Sequence, residues 1–136
     1  MTNWIVGHTD RFHAAVTQRS IVNQISMFGT SDIGPECGIG ETGATPWSDL
    51  EAVWRQSPIA YAEAIFTPLL IIHSDEDHRC PLEQAEQLFA ALRWLGRETE
   101  LVIFEGESHG LSRGGRPGNR IERLHRIQDW FERYLT

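Results

Sequence analysis

The 136-residue chain is 40% hydrophobic and 23% charged, the balance of a globular protein with enough apolar residues for one core. Its 12 basic and 19 acidic residues leave a net charge of −7, and no basic stripe with interleaved aromatics occurs, which argues against a nucleic acid or an anionic membrane surface as main partner. There is no apolar run of about 18 residues for a membrane-spanning helix, and the opening M-T-N-W-I-V-G-H lacks the basic region and long apolar core of a signal peptide.

Met1 to His8 is compatible with a short helix, and Phe12 to Thr17 reads as a buried strand rich in small residues. Gln18 to Ser20 fall where a loop is expected. Ile21 to Phe28 is a short apolar stretch, suited to a helix or to a pocket wall. Gly29 to Gly43 contains five glycines and a proline, and reads as a long surface loop. Thr45-Pro46 predicts a helix start, with Leu50, Val53 and Trp54 on its apolar side and Ser57-Pro58-Ile59 as its break. Leu69 to Ile72 and Leu101 to Phe104 are short, continuous and apolar, as buried parallel strands are. Between them Ala85, Leu88, Phe89, Leu92 and Leu95 recur at helical spacing, bracketed by Pro81 and Gly96. The S-R-G-G-R-P-G stretch predicts a flexible loop. Asn119 to Leu135 predicts a final helix with Ile121, Leu124, Ile127, Phe131 and Tyr134 as its buried stripe. The five tryptophans, Trp4, Trp47, Trp54, Trp94 and Trp130, read as packing residues.

A strand, a crossover helix and a second parallel strand carry two loops to one sheet edge, beyond the strand carboxyl ends, where open α/β sheets build their sites. The first loop holds Asp77 and the second His109. A carboxylate on one imidazole nitrogen fixes the tautomer, and the other nitrogen is then free to act as a general base on a nucleophile. Acid followed by histidine is the chain order of α/β-hydrolases, in which the serine comes first. His73, Asp75, Asp77 and His78 have ligand chemistry, and 73, 75 and 77 face one way on an extended strand, but no third fixed ligand is evident, so no metal is expected. Asp75 and Glu76 read as solvated loop acids, and His8 and His13 as structural. Cys37 and Cys80 are far apart and form no C-x-x-C pair; free thiols of a cytoplasmic protein are expected.

M-T-N-W-I-V-G-H-T-D-R-F-H-A-A-V-T-Q-R-S-I, H-S-D-E-D-H-R-C-P-L-E-Q-A-E-Q-L-F and E-G-E-S-H-G together resemble the prolyl oligopeptidase family of serine peptidases, and most nearly its acylaminoacyl-peptidase branch. The resemblance covers the whole chain and corresponds to the carboxyl-terminal half of the catalytic domain. It implies an α/β fold, a partial α/β-hydrolase, with Asp77 (in D-x-R-x-P with Arg79 and Pro81) and His109 as triad members and no cofactor. It further implies that Ile21 and Phe28 lie in a region that lines the substrate side-chain pocket, and that short peptides or acyl-peptides are the substrates of a full-length relative. Arg79 beside Asp77 suits pairing with an acid, and is a further candidate for substrate contact.

One departure is large. The family's G-x-S-x-G-G elbow falls just ahead of Met1, so the serine, the oxyanion donors and the β-propeller are expected outside this chain. Gly106-Glu107-Ser108-His109-Gly110 matches G-x-S-x-G, but a glycine-rich loop rather than a helix is expected after it, so Ser108 is not read as the nucleophile. A small sheet with an uncovered edge invites pairing with the rest of a larger domain or with a second copy. A non-catalytic self-associating module and an esterase or dienelactone-hydrolase-like enzyme are the alternative readings, since one fold hosts many acyl substrates.

Overall fold

The computed structural model describes residues 1–135. In chain order it contains α1 (Thr2–Val6), β1 (Ala15–Gln18), α2 (Gln24–Thr30), α3 (Gly34–Thr42), α4 (Leu50–Arg55), a 3₁₀ helix (Pro58–Ala64), β2 (Leu69–Ser74), α5 (Leu82–Trp94), β3 (Thr99–Phe104), α6 (Leu111–Gly114) and α7 (Pro117–Leu135). The strands form one parallel sheet in the order β1-β2-β3, with Ala15 opposite Leu69 and Leu69 opposite Thr99.

β2 is buried along its whole length because it has a strand on each side and helices on both faces. Its residues alternate between two cores, as the two-residue period of a strand requires. Leu69 and Ile71 pack with Val6, Val22, Ile65 and the Ala85, Leu88 and Leu92 side of α5. Leu70 and Ile72 pack with Phe104, Leu111 and Trp130. The result is a three-layer α/β arrangement with α5 and α7 on opposite faces. Gly96 ends α5 in the left-handed region at φ 68°, which a side chain would disfavour, and Arg97 N–H then returns to the Leu92 carbonyl.

Several segments differ from their sequence reading. Within the expected Gly29–Gly43 loop, residues 34–42 form α3. A Cβ on Gly34 would lie 2.2 Å from the Phe28 carbonyl oxygen, and one on Gly38 would lie 2.9 Å from the Phe28 ring. These glycines permit close helix packing, which composition alone cannot distinguish from looseness. Thr45-Pro46 does not start a helix. Thr45 and Ser48 close a turn by reciprocal side-chain bonds, and α4 is capped by Asp49, whose Oδ1 accepts from Ala52 N–H at 2.9 Å.

The expected loop after His109 contains α6, and α7 begins at Pro117. On α7 the packed residues are Ile127, Trp130, Phe131 and Tyr134, while Ile121 and Leu124 are each 55% exposed because no described element covers that side of the first turns. Trp47, Trp54 and Trp94 are exposed rather than packed into the core. No described helix is long and apolar enough to cross a membrane.

Candidate active site

β2 ends at Ser74 and β3 at Phe104, paired with each other, so the loops that follow leave the sheet side by side. Asp75 Oδ1 accepts from Gly106 N–H at 2.7 Å, and the Glu107 carbonyl accepts from Glu76 N–H at 3.0 Å, which binds one loop to the other. Asp75 is thus a loop brace as well as an exposed acid.

Asp77 is buried. Its Oδ1 accepts from the backbone N–H groups of Arg79 at 3.0 Å and Cys80 at 2.8 Å, and its Oδ2 lies 2.8 Å from His109 Nδ1 across a sequence separation of 32. The carboxylate is therefore held by the backbone of its own loop and by the imidazole. The His109 side chain is one-third exposed. With Nδ1 facing Asp77, Nε2 is the nitrogen left for chemistry, and it has no hydrogen-bond partner among the described residues. His109 borders an open cleft of about 650 Å³ that also includes Trp4, Arg19, Ile21, Gln24 and Glu41.

The other candidates are placed as follows. Ile21 lines the cleft with His109. Phe28 does not: its ring lies against Gly38 and edge-on to Trp47, 5.0 Å between centroids, because α3 packs over it. Arg79 turns its guanidinium to Asp32 at 2.8 Å, and this pair, with His109, borders a second hollow of about 330 Å³. The same guanidinium holds the Asp32 carboxyl below the usual carboxylate range. Ser108 is exposed, and its Oγ accepts from Gly110 N–H at 3.2 Å. Among the described residues no three metal-ligating side chains gather.

Four residues that the sequence left unremarked or read differently support this site. Arg19 sits at the end of β1 in the left-handed region, φ 51°, and its Nη1 donates to the His109 carbonyl oxygen at 2.7 Å. His73 is buried at the end of β2. Its Nε2–H donates to the Cys80 carbonyl at 2.7 Å, it lies 3.8 Å from Asp77 Oδ2, and burial pushes its pKa down. Cys80, bonded through its N–H to Asp77, has its thiol pKa pushed up to about 12, first by burial and then by the Asp77 charge. Gln84 is fully buried, and its Oε1 accepts from Val22 and Asn23 N–H groups, both at 2.8 Å, fixing the chain between β1 and α2. A helical glutamine gives no sign in a sequence that it serves a distant loop. The D-x-R pattern around Asp77 does mark the loop, although not the histidine beneath it.

A parallel sheet carrying an acid-to-imidazole pair at its carboxyl edge is the frame of an α/β-hydrolase-type peptidase. The chain matches the prolyl oligopeptidase family (Peptidase_S9) over residues 1–136, and it belongs to that family. It is 54% identical to peptidase YuxL of Bacillus subtilis over 135 residues, covering 99% of this chain and 20% of that protein. It is 30% identical to the acylamino-acid-releasing enzyme of Arabidopsis thaliana over 142 residues, covering 98% of this chain and 18% of the relative. The acylaminoacyl peptidase structure from Pyrococcus horikoshii superposes with a TM-score of 0.95 at 36% identity, covering 99% of this chain and 22% of that one. The chain spans about a fifth of the length of these relatives.

Proposed function

We propose that the polypeptide carrying this chain is a serine peptidase that releases an amino-terminal residue, acylated or free, from short peptides through an acyl-enzyme. The Asp77–His109 pair at the mouth of the cleft carries the reading. In the reaction His109 Nε2 takes the proton of a serine hydroxyl as its oxygen attacks the scissile carbonyl. The imidazolium then gives that proton to the leaving amine, leaving an acyl ester that water cleaves by the same steps. Asp77 remains ionised, holding the Nδ1–H tautomer and stabilising the imidazolium. Ile21 contributes an apolar wall, and no cofactor takes part. The free Cys37 and Cys80 suit a reducing cytoplasm.

The serine comes from outside these 136 residues. Ser108 is unsuited, because it adjoins His109 in the chain and is followed by a four-residue helix rather than the long helix of an elbow. Loss of the nucleophile costs a rate factor of about 10⁶, so this chain alone is expected to be nearly inactive. A fluorophosphonate probe is expected to leave it unlabelled, and stoichiometric labelling at Ser108 would overturn that. With a G-x-S-x-G-G elbow ahead of residue 1, the polypeptide is expected to hydrolyse acetyl-alanine or alanine p-nitroanilide and to lose this activity in His109→Ala. Cleavage of simple esters alone would move the reading to an esterase.

A second reading draws on the sheet edge. Among the described residues β1 pairs with β2 on one side only, and Phe12, Ala14 and Val16 border an apolar groove beside it. Such an edge suits strand addition, by the rest of the hydrolase sheet or by a second copy. A clean monomer in size-exclusion chromatography would count against self-association.

A further inference from the structure

We propose that Gln84 and Gln87, two side chains of α5, are positioning residues for the cleft wall at residues 21–24, and that through this wall they set which substrate side chain the cleft accepts beside His109. The proposal rests on the peptidase reading only in taking the occupant of the cleft as a substrate side chain.

Ile21 and Gln24 border the cleft together with His109. This wall stands between two regular elements, since β1 ends at Gln18 and α2 begins at Gln24. No strand ladder or helical bond pattern therefore supplies acceptors for its backbone. Val22 is fully buried, so its N–H cannot turn to water and needs an acceptor within the protein. Gln84, itself fully buried, offers Oε1 to the N–H groups of Val22 and Asn23, both at 2.8 Å. Its Nε2 donates to Ser26 Oγ at 2.9 Å and to Glu83 Oε1 at 2.6 Å, which keeps the oxygen end of the amide toward the wall.

Gln87 stands three residues further on, on the same face of α5. Its Oε1 accepts from Asn23 Nδ2 at 2.8 Å, and its Nε2 donates to Ser26 Oγ at 2.9 Å. Asn23 Oδ1 in turn caps α2 by accepting from Ile25 N–H at 3.0 Å. The ends of the wall have other anchors: Ser20 Oγ accepts from Asn3 Nδ2 at 2.8 Å, and Ser57 Oγ accepts from Gln24 N–H at 3.0 Å. The N–H groups of its middle depend on Gln84. α5 also follows directly on the loop whose Arg79 and Cys80 N–H groups hold Asp77. The catalytic pair and the wall are thus placed by one stretch of chain. The family resemblance implies an apolar region here; the α5 amides are what places it.

An apolar wall discriminates between side chains by about 10–200-fold per methylene, so a displaced wall is read as lost discrimination. The probes are the chloromethyl ketones of N-acetylated alanine, norleucine and phenylalanine. His109 Nε2 attacks the methylene carbon, the C–Cl bond breaks, chloride leaves, and the ring remains as an alkylated imidazolium. Rates at His109 are read by peptide mass spectrometry on the 136-residue chain. Each is divided by the rate with iodoacetamide, which has no side chain to place. In the parent the normalised rates are expected to span about tenfold or more, and in Gln84→Met to fall within about threefold of one another. Gln87→Met is expected to move in the same direction by less. Trp130→Phe, which loosens the core on the other face of the sheet, is expected to discriminate as the parent does. In Gln84→Met the Val22 and Asn23 amides are further expected to exchange at least about tenfold faster, with β2 amides unchanged. Rates alike in the parent, discrimination kept in Gln84→Met, or the same loss in Trp130→Phe would overturn the proposal. If Gln84→Met does not fold, Gln87→Met, at a partly exposed position, decides by the same criteria. Alkylation needs no serine, so this result stands apart from the test of peptidase activity.

Discussion

Arg19 reaches across 90 positions of sequence to donate its Nη1–H to the carbonyl oxygen of His109. The bond ties the end of β1 to the loop that carries the imidazole. It is charge-assisted, and such bonds contribute about 1.5–3 kcal/mol. The backbone of Arg19 lies at φ 51°, a region that non-glycine residues seldom occupy, and strain of this kind persists where the surroundings fix the residue. Arg19→Met keeps the stem and removes the donor. The amides of residues 108–110 are then expected to exchange with solvent at least about tenfold faster, while amides in β2 remain unchanged. Equal loss of protection in both places would mean that Arg19 supports the whole fold instead of the loop.

Asp77→Asn separates orientation from packing. An amide at this position can keep its oxygen toward the Arg79 and Cys80 N–H groups, so the loop is retained. Its NH₂ would then face His109 Nδ1, which must accept rather than donate, and the proton moves to Nε2. That is the wrong tautomer for a base. In a polypeptide that includes the serine, kcat is expected to fall by about 10⁴ with KM little changed. A comparable rise in KM would point instead to a displaced cleft.

The meeting of Asp77 and His109 follows from two legible facts: the apolar runs at Leu69–Ile72 and Leu101–Phe104, and a connection long enough only for a parallel crossover. Strand pairing then leaves the loops little choice of edge. What was not legible depends on contacts between segments far apart in the chain. Glycines at 34 and 38 signalled a loop until the Phe28 backbone and ring are seen against them. The resemblance places Phe28 in a pocket-lining region, but α3 packs against its ring. Ile121 and Leu124 fit the helical period and are exposed, since periodicity tells which side a residue is on and not whether anything covers it. Arg19 and Gln84 are polar residues whose partners lie 90 and more than 60 positions away.

Glu107 is a carboxylate buried at the foot of α7. Its Oε1 accepts from Arg116 N–H at 2.9 Å and from Asn119 Nδ2 at 2.7 Å, so it caps the helix from the His109 loop. Negative charge at a helix N-terminus is favourable, and loss of a cap costs about 0.5–2 kcal/mol. Glu107→Ala is expected to lower stability to urea by that amount and leave a cavity beside Gly115. Glu107→Gln, which keeps an acceptor and loses the charge, is expected to fall between it and the parent. If both variants match the parent, the cap contributes nothing to stability.

His73 should make the fold acid-sensitive. Burial lowers its pKa, opposed by the bond to the Cys80 carbonyl and by the Asp77 charge, while His109 and Arg19 lower it further. The unfolded ring takes up a proton near its ordinary value of 6.5, and the folded ring only at lower pH. Between those values the unfolded state binds more protons, so stability falls as pH falls through this window and is unaffected by this group above it. The slope for one group is at most about 1.4 kcal/mol per pH unit. Protonation would also place a cation 3.8 Å from Asp77 Oδ2, competing with His109 for the same carboxylate. His73→Gln retains an N–H for the Cys80 carbonyl and does not titrate. In urea melts from about pH 5 to 8, the stability difference between parent and variant is expected to be constant above about pH 7 and to shift in favour of the variant below 6.5. A difference that does not change with pH would show that the buried imidazole is not the acid-sensitive group.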